Sequence, residues 1–529
     1  MAATTFTRLK QTVTQRGAAT LVASGMLLSR IAGLIRARVF AHFLGASVAA
    51  DAFSAAFRIP NFLQNLFGEG VLSASFIPVY ARLNAEKRHD EASRLAEAVG
   101  ALLAVVTAII VAMGLLLAPV LVHVIAPGFH GEKRVLTVQL IRILFPGTGL
   151  LVFSAWCLGI LNSHRRFFLS YAAPVVWNAA MITTLLWKGP GAAQDHLAID
   201  LAWGSVVGSG LQFGVQLPVV WSLLRPIQSL VRSRSSHVRT VVKNFLPVFV
   251  SRGVVQISAY VDALLASFLP TGAVAALSYA QTLNQLPVSL FGMAISAAEL
   301  PAMSSALGTE EEIAAALRRR ILRGLQQITY FVVPSAVAFF VLGDVVVATI
   351  YKSGIFTSQD VRFVWAVLAG ASVGLIATTS GRLYSSAFYA LRDTRTPLRF
   401  AVIRVTLTLI MGYIFALPMP VWLGINRQWG VAGLTFSAGI AGWVEFILLR
   451  RSLHQRIGAV EFSSLYLAKL WAAAIIASVP GLFLNWHLPI HSAAKRGIII
   501  LAVYGVLYLA IAALLGIQGM LGRFRNRAT

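Results

Sequence analysis

The chain has 529 residues, 57% of them hydrophobic and only 12% charged, with a mean hydropathy of +0.76. No soluble arrangement of domains buries so much apolar side chain, which specifies a polytopic membrane protein and sets aside the water-soluble classes. A net charge of +25 would suit a nucleic-acid partner, but the basic residues gather in alternate loops between apolar runs, which is a membrane pattern.

Apolar runs of about 20 residues, each long enough to cross about 30 Å of hydrocarbon as a helix, recur along the whole length. They fall near 18–44, 50–81, 96–126, 136–162, 168–187, 198–224, 241–269, 273–304, 324–350, 361–391, 398–418, 430–449, 463–485 and 497–521. The expected fold class is therefore all-α, with about 14 transmembrane helices. Placing the N-terminus in the cytoplasm gives the inner segments about 27 Lys and Arg and the outer loops about seven, Lys133 and Lys188 among them. The positive-inside rule then puts both termini in the cytoplasm and requires an even number of spans.

In chain order, the N-terminal MAATTFTRLKQTVTQRG lacks the short apolar core and small-residue cleavage site of a removable signal, so the first span is expected to direct insertion. Span two carries Asp51, Arg58, Pro60, Gln64, Asn65 and Glu69. Cys157 is the single cysteine and lies in an apolar span, which leaves no disulfide and no thiolate metal site. The run from Glu310 to Arg320, acidic early and basic late, reads as a surface helix. The polar connections are short and leave no segment for a soluble domain.

Two stretches recur at an offset of about 222 to 224 residues: SRIAGLIRARVF from Ser29 with SRGVVQISAYVD from Ser251, and LFGEGVLSASFIP from Leu66 with LFGMAISAAELP from Leu290. Two matches in one register indicate a duplication of six spans, parallel because the number is even. The expected organisation is an N-terminal lobe (1–224), a C-terminal lobe (241–450) and two additional spans (460–521). Paired lobes of this kind are a transporter plan, with access alternating between the two sides.

Ionisable groups inside a span cost about 2.5 to 3.5 kcal/mol each on insertion scales and usually face a bundle interior or a wet cavity. At 100° per residue, Asp51, Arg58, Asn65 and Glu69 return to one side of a helix kinked by Pro60, forming a polar stripe. Arg30 and Arg36 precede it, and Arg252 stands where the duplication repeats Arg30. Guanidinium groups stay charged and donate in a planar fork, so this cationic group suits a phosphate or diphosphate. The structural alternatives are snorkelling by Arg36 and Arg38, pairing of Asp51 with Arg58, and Glu69 satisfying a neighbouring arginine. Arg142, Asp262, Glu299, Asp344, Arg382, Arg404, Glu445 and Lys469 are more isolated or nearer span ends and read as structural or interfacial. No Walker A loop, HExxH motif or Cys/His cluster is present, so the sequence points to no metal, no cofactor and no enzymatic chemistry.

The run from Ser29 to Leu83, followed by about a dozen further spans and by IAPGF at Ile125 to Phe129, resembles the MurJ (MviN) family of lipid II flippases, within the superfamily of multidrug and polysaccharide exporters. The resemblance implies flipping of lipid II, the undecaprenyl-diphosphate-linked peptidoglycan precursor, across the bacterial inner membrane. It also implies a cationic cavity for the headgroup, a tail groove at the last two spans, and membrane lipids and cell-wall synthesis enzymes as further partners. Ser29, Arg30, Gly33, Arg36, Asp51, Glu69 and Gly70 match the family pattern, and Arg58 keeps a basic residue. Ala37 departs from it, Gln64 and Asn65 fall in a stretch where the family commonly has arginine, and Thr282 stands where an arginine is expected; Arg252 is a candidate replacement. Span eleven has no acid or Asn, which gives sodium coupling no support. The changed positions keep two alternatives open: export of another polyprenyl-diphosphate oligosaccharide or a drug, and a transport-inactive scaffold for cell-wall enzymes.

Overall fold

The computed structural model describes residues 24–72, 75–224, 260–304 and 309–517, without the side chains of residues 68–71, 297, 301 and 302. The described residues form helices and short connections, with no strand among them. Nine described helices are long and apolar enough to cross a membrane, and a tenth crossing results if Ser358–Val373 and Leu375–Ala390, bent by 42°, form one span. The protein is thus an all-helical, multi-pass membrane protein. The expected fourteen spans are not reached among the described residues: span seven lies mostly outside them, and spans two and eight are broken into shorter helices.

The chain divides into two compact units, Met1–Tyr260 and Val261–Thr529. The first contains α1 (24–44), α2 (Val48–Ala56), α3 (Arg58–Gln64), a π-helical stretch (Asn65–Leu72), α4 (Ile77–Ala85), α5 (His89–Leu116), α6 (Ala118–Ile125), α7 (Gly131–Ser163), α8 (Phe167–Lys188) and α9 (Gln194–Leu223). Helix α7 is the core of this unit: 67% of its apolar window is buried against 22% for α5, and it packs on α2, α3, α5, α8 and α9. Small residues let the helices approach closely; a Cβ on Gly208 of α9 would stand 2.8 Å from the Trp177 ring of α8. Between α7 and α9, buried Gln212 donates to Ser154 at 2.8 Å and Ser154 donates to Gln216 at 3.1 Å, a polar contact of the kind that joins helices in lipid.

The second unit contains α10 (Val261–Ala266), α11 (Ala273–Pro287), a π-helical stretch (Val288–Met293), α12 (Ala294–Ser304), α13 (Glu310–Val341), α14 (Gly343–Tyr351), α15 (Ser358–Val373), α16 (Leu375–Ala390), α17 (Arg395–Ala416), α18 (Pro418–Trp422), α19 (Gly430–Ile457), α20 (Ser464–His487) and α21 (Ala493–Leu514). Helix α19 packs on α15, α16 and α17, and a Cβ on Gly439 would come 2.9 Å from the Gly374 nitrogen at the α15–α16 bend. The acidic run at Glu310 is not a separate surface helix. A Thr309–Glu312 capping box starts α13 there, and the same helix, 32 residues long in all, runs on through the apolar span. Pro334 cannot donate to the Tyr330 carbonyl four residues earlier, and Tyr508 of α21 donates its hydroxyl to that carbonyl instead.

Both LFG motifs of the repeated sequence, at Leu66 and Leu290, fall in the π-helical stretches. A π turn widens the helix and breaks the 100° register, which alternating patterns of polarity do not reveal.

Candidate anion-binding site

Span two is not one continuous helix. Pro60 has no N–H for the carbonyl of Ala56 and its ring crowds that carbonyl, so α2 ends at Ala56 and α3 restarts at Arg58, with Pro60 tolerated in the first turn. The expected bend therefore lies three residues before the proline. A second register change occurs at Asn65, where the π stretch begins. The single-faced stripe of Asp51, Arg58, Asn65 and Glu69 is corrected accordingly, because each break rotates the residues beyond it away from the 100° progression.

Asp51, in the first turn of α2, is wholly buried and forms an ion pair with Lys133 at the start of α7. The Lys133 ammonium also lies 4.2 Å from the Phe129 ring centroid. Lys133 reads from sequence as a loop charge, and the structure pairs it with Asp51. In this structure Asp51 has no surface to offer a ligand.

Arg36 has a built setting. Its guanidinium lies 5.2 Å from the Phe57 ring centroid and 5.0 Å from that of Trp177, and those two rings stack at 5.4 Å with 8° between their planes. Phe53 extends the stack at 5.3 Å from Phe57, and an Arg36 N–H points to the Met181 sulfur at 3.7 Å. Trp177 is itself fixed by donation to the Ser205 carbonyl at 3.1 Å. A π face stabilises a guanidinium without cancelling its charge, so the cradle orients a cation rather than neutralising it. The cradle forms because α1 packs on α8 through Gly25, against Tyr171, and Gly33, near Asn178.

Of the other expected site residues, Ser29 is half-buried and Arg30 exposed on α1, while Arg58, Gln64 and Asn65 are half-buried along α3 and the π stretch. Tyr260 pins this segment, donating to the Arg58 carbonyl at 3.0 Å and meeting Phe62 edge-on at 5.6 Å. The Glu69 side chain and all of Ser251 and Arg252 lie outside the described residues. Thr282, where an arginine is expected, is half-buried in α11 and donates its hydroxyl to the Ser278 carbonyl of its own helix.

Sequence reasoning missed Phe57, Trp177, Met181 and Lys133. Aromatic residues in apolar spans carry no local mark of a cation partner, and the pairing of Asp51 with Lys133 spans 82 residues. No group of three or more His, Cys, Asp or Glu capable of holding a metal occurs among the described residues. An apolar cavity of about 280 Å³ in the second unit, lined by Phe340, Phe415, Met419, Trp429 and Phe436, has no charged lining and does not suit an anionic headgroup.

A family profile described as lipid II flippase MurJ matches residues 40–509. The lipid II flippase MurJ of Burkholderia cenocepacia is 32% identical over 453 residues, covering 83% of this chain and 84% of that protein. A probable lipid II flippase MurJ of Rhizobium meliloti is 31% identical over 506 residues, covering 93% and 91%. Among solved structures, a lipid II flippase MurJ in an inward closed conformation superposes with a TM-score of 0.76 at 23% identity, covering 94% of this chain and 98% of that one. An inward-facing multidrug resistance MATE family transporter of the MOP superfamily superposes with a TM-score of 0.64 at 17% identity, covering 83% and 98%.

Proposed function

Because the chain belongs to the MurJ family of lipid II flippases, we propose that it flips lipid II across the bacterial inner membrane, with both termini in the cytoplasm. The lobes at 1–224 and 241–450 rock in alternating access, and the two spans at 460–521 take the polyprenyl tail. Arg30, Arg36 and Arg58 bind the diphosphate through charge-assisted hydrogen bonds, with Ser29, Gln64 and Asn65 as neutral donors and acceptors nearby. Glu69 and Arg252 complete the charge pattern, while Asp51 acts by holding Lys133. Transport proceeds without covalent chemistry, cofactor or metal, and cell-wall synthesis enzymes are its partners in use of the product.

The observation that carries the site is the Arg36 guanidinium held over the Phe57–Trp177 stack. A preoriented cation binds an anion with less loss of side-chain freedom than a mobile one. The headgroup then moves with the lobe that holds it.

Complementation tests the reading: a bacterium depleted of its own lipid II flippase, expressing this chain, is followed for survival and for precursor on the inner leaflet. The expected result is rescue that disappears with Arg30→Ala and Arg36→Ala. A chain that is inserted and abundant yet gives no rescue overturns it. A second reading, export of another polyprenyl-diphosphate oligosaccharide, is favoured by Gln64 and Thr282 at positions where the family has arginine. It expects no rescue until those positions are restored to arginine.

A further inference from the structure

Three charged residues that look isolated along the sequence come together in the second unit. Arg404 of α17 pairs with Glu445 of α19, Nε to Oε2 at 3.4 Å, and Arg382 of α16 lies within electrostatic reach of both. The helix packing accounts for the meeting. Gly442 stands against Thr378, and Gly381 faces Leu449, so α16 and α19 touch on either side of Glu445. The group is far from the helix ends: at 1.5 Å per residue, Arg382, Arg404 and Glu445 lie about 12, 14 and 18 Å from the ends at Ala390, Arg395 and Ile457.

The faces on which the residues sit are informative. On α17, Leu398, Val402, Ile403, Leu409 and Ile410 are the exposed apolar face, and Arg404 lies opposite them, in line with buried Thr408 and Gly412. Arg382 lies instead on a polar stripe of α16, exposed there together with Tyr389, while Thr378, Ser385 and Ser386 on the same stripe are half-buried. A helix surface facing acyl chains is apolar, so a polar stripe within a span faces water or a polar ligand. Arg404 already shares Glu445, and among the described residues no carboxylate lies within ion-pair distance of Arg382. Two guanidinium groups against one carboxylate leave one positive charge, and the exposed Arg382 side chain carries a five-donor fork.

We propose that Arg382 and Arg404, with Glu445 as a competing counter-ion, form a second anion site, separate from the arginines of the first unit, that binds a phosphate-class oxyanion. The fork of Arg382 takes two oxygens of the anion, and Arg404 turns from Glu445 to contribute when the anion arrives. Its occupant is either free phosphate or the phosphate of a lipid headgroup. Glu445 keeps the site from being doubly cationic when empty, which lowers the cost of two guanidinium groups inside a span.

The test uses the full-length chain carrying Arg30→Ala, Arg36→Ala, Arg58→Ala and Arg252→Ala, so that the arginines assigned to the first site do not contribute. In detergent, inorganic phosphate is titrated while the thermal unfolding midpoint and the phosphorus NMR linewidth are recorded, against chloride at matched ionic strength. The expected result is a saturable response to phosphate and none to chloride. Arg382→Gln raises the apparent Kd at least tenfold, and Glu445→Gln lowers it several-fold by releasing Arg404. Repeating the titration in nanodiscs separates the sources: phosphatidic acid that suppresses the phosphate response only when Arg382 is present identifies a lipid phosphate, and an unchanged response identifies the free anion. A response unaltered in both Arg382→Gln and Glu445→Gln, or no response to either phosphate source, overturns the proposal. The opposite signs expected from the two variants separate a binding effect from a loss of fold.

Discussion

Lys133→Met provides a sharp test of the packing in the first unit. The Asp51 side chain is fully buried and that of Lys133 is 13% exposed, so the methionine leaves a carboxylate inside the protein without its cation. Removing one partner of a buried pair costs about 3 to 5 kcal/mol, roughly a 150- to 5000-fold change in the folding equilibrium. Asp51→Asn costs less, because Lys133 keeps the Phe129 ring and some access to solvent. In the double variant neither charge remains, and buried pairs replaced by neutral groups of similar volume come out near neutral. The order of stability is therefore wild type, double variant, Asp51→Asn, Lys133→Met, read as thermal midpoints of the purified protein in one detergent. Single-variant effects that add to within about 0.5 kcal/mol in the double variant would refute coupling through this pair. Transport separates two roles: if the pair only braces the fold, the double variant regains rescue that Lys133→Met has lost, and if Lys133 itself is needed for transport, it does not.

Other contacts carry further expected outcomes. Trp177→Leu removes one face of the Arg36 cradle and weakens headgroup binding by about 0.5 to 2 kcal/mol, while Trp177→Phe keeps the face and most of the binding, as measured by lipid II titration with native mass spectrometry. Gly439→Val places its side chain against the Gly374 backbone and lowers stability by about 1 to 3 kcal/mol; a thermal midpoint equal to wild type would show that this crossing does not need glycine. In the loop between α16 and α17, the Thr396 amide and hydroxyl and then Arg456 hold the Asp393 carboxyl down to about 2, below its ordinary 3.8. A depressed carboxylate contributes stability above its unfolded pKa and loses it as pH falls through the folded one. The advantage of wild type over Asp393→Asn is thus present above pH 4 and shrinks between about 4 and 2, in thermal scans across that range.

The fold class was legible because its signal is cumulative: one apolar run is ambiguous, but runs of about 20 residues separated by alternately basic loops leave no soluble solution. Breaks within spans were less legible. Pro60 marks a disruption in sequence, yet the helix gives way at Phe57, because the unsatisfied carbonyl lies four residues upstream of the proline. The π stretch at Asn65 has no proline at its start, and Pro287 just before the one at Val288 marks a disruption without distinguishing a π turn from a kink, so nothing in a 3.6-residue pattern signals either as π. The acidic start of α13 was legible as a helix N-terminus and illegible as the start of a span, since capping chemistry reports where a helix begins and not how far it runs.

For the site, sequence identifies charges and the fold decides which of them remain charges a ligand can meet. Asp51 and Arg36 illustrate the division. Both are ionisable residues in or near apolar spans, and both stood out for that reason alone. One is paired with a lysine 82 positions away and enclosed; the other is half-buried and set over two stacked rings that orient it. The difference rests on Lys133, Phe57 and Trp177, and none of these is adjacent in sequence to the residue it controls. The same reasoning applies in reverse to Arg382, Arg404 and Glu445. Arg382 is the one charge on α16, Arg404 and Glu445 stand apart from the basic residues at the ends of α17 and α19, and only the packing of α16 and α17 on α19 makes the three a group with net positive charge. A count of intramembrane charges therefore gives candidates, and pairing across helices sorts those that brace the bundle from those that can bind an anion.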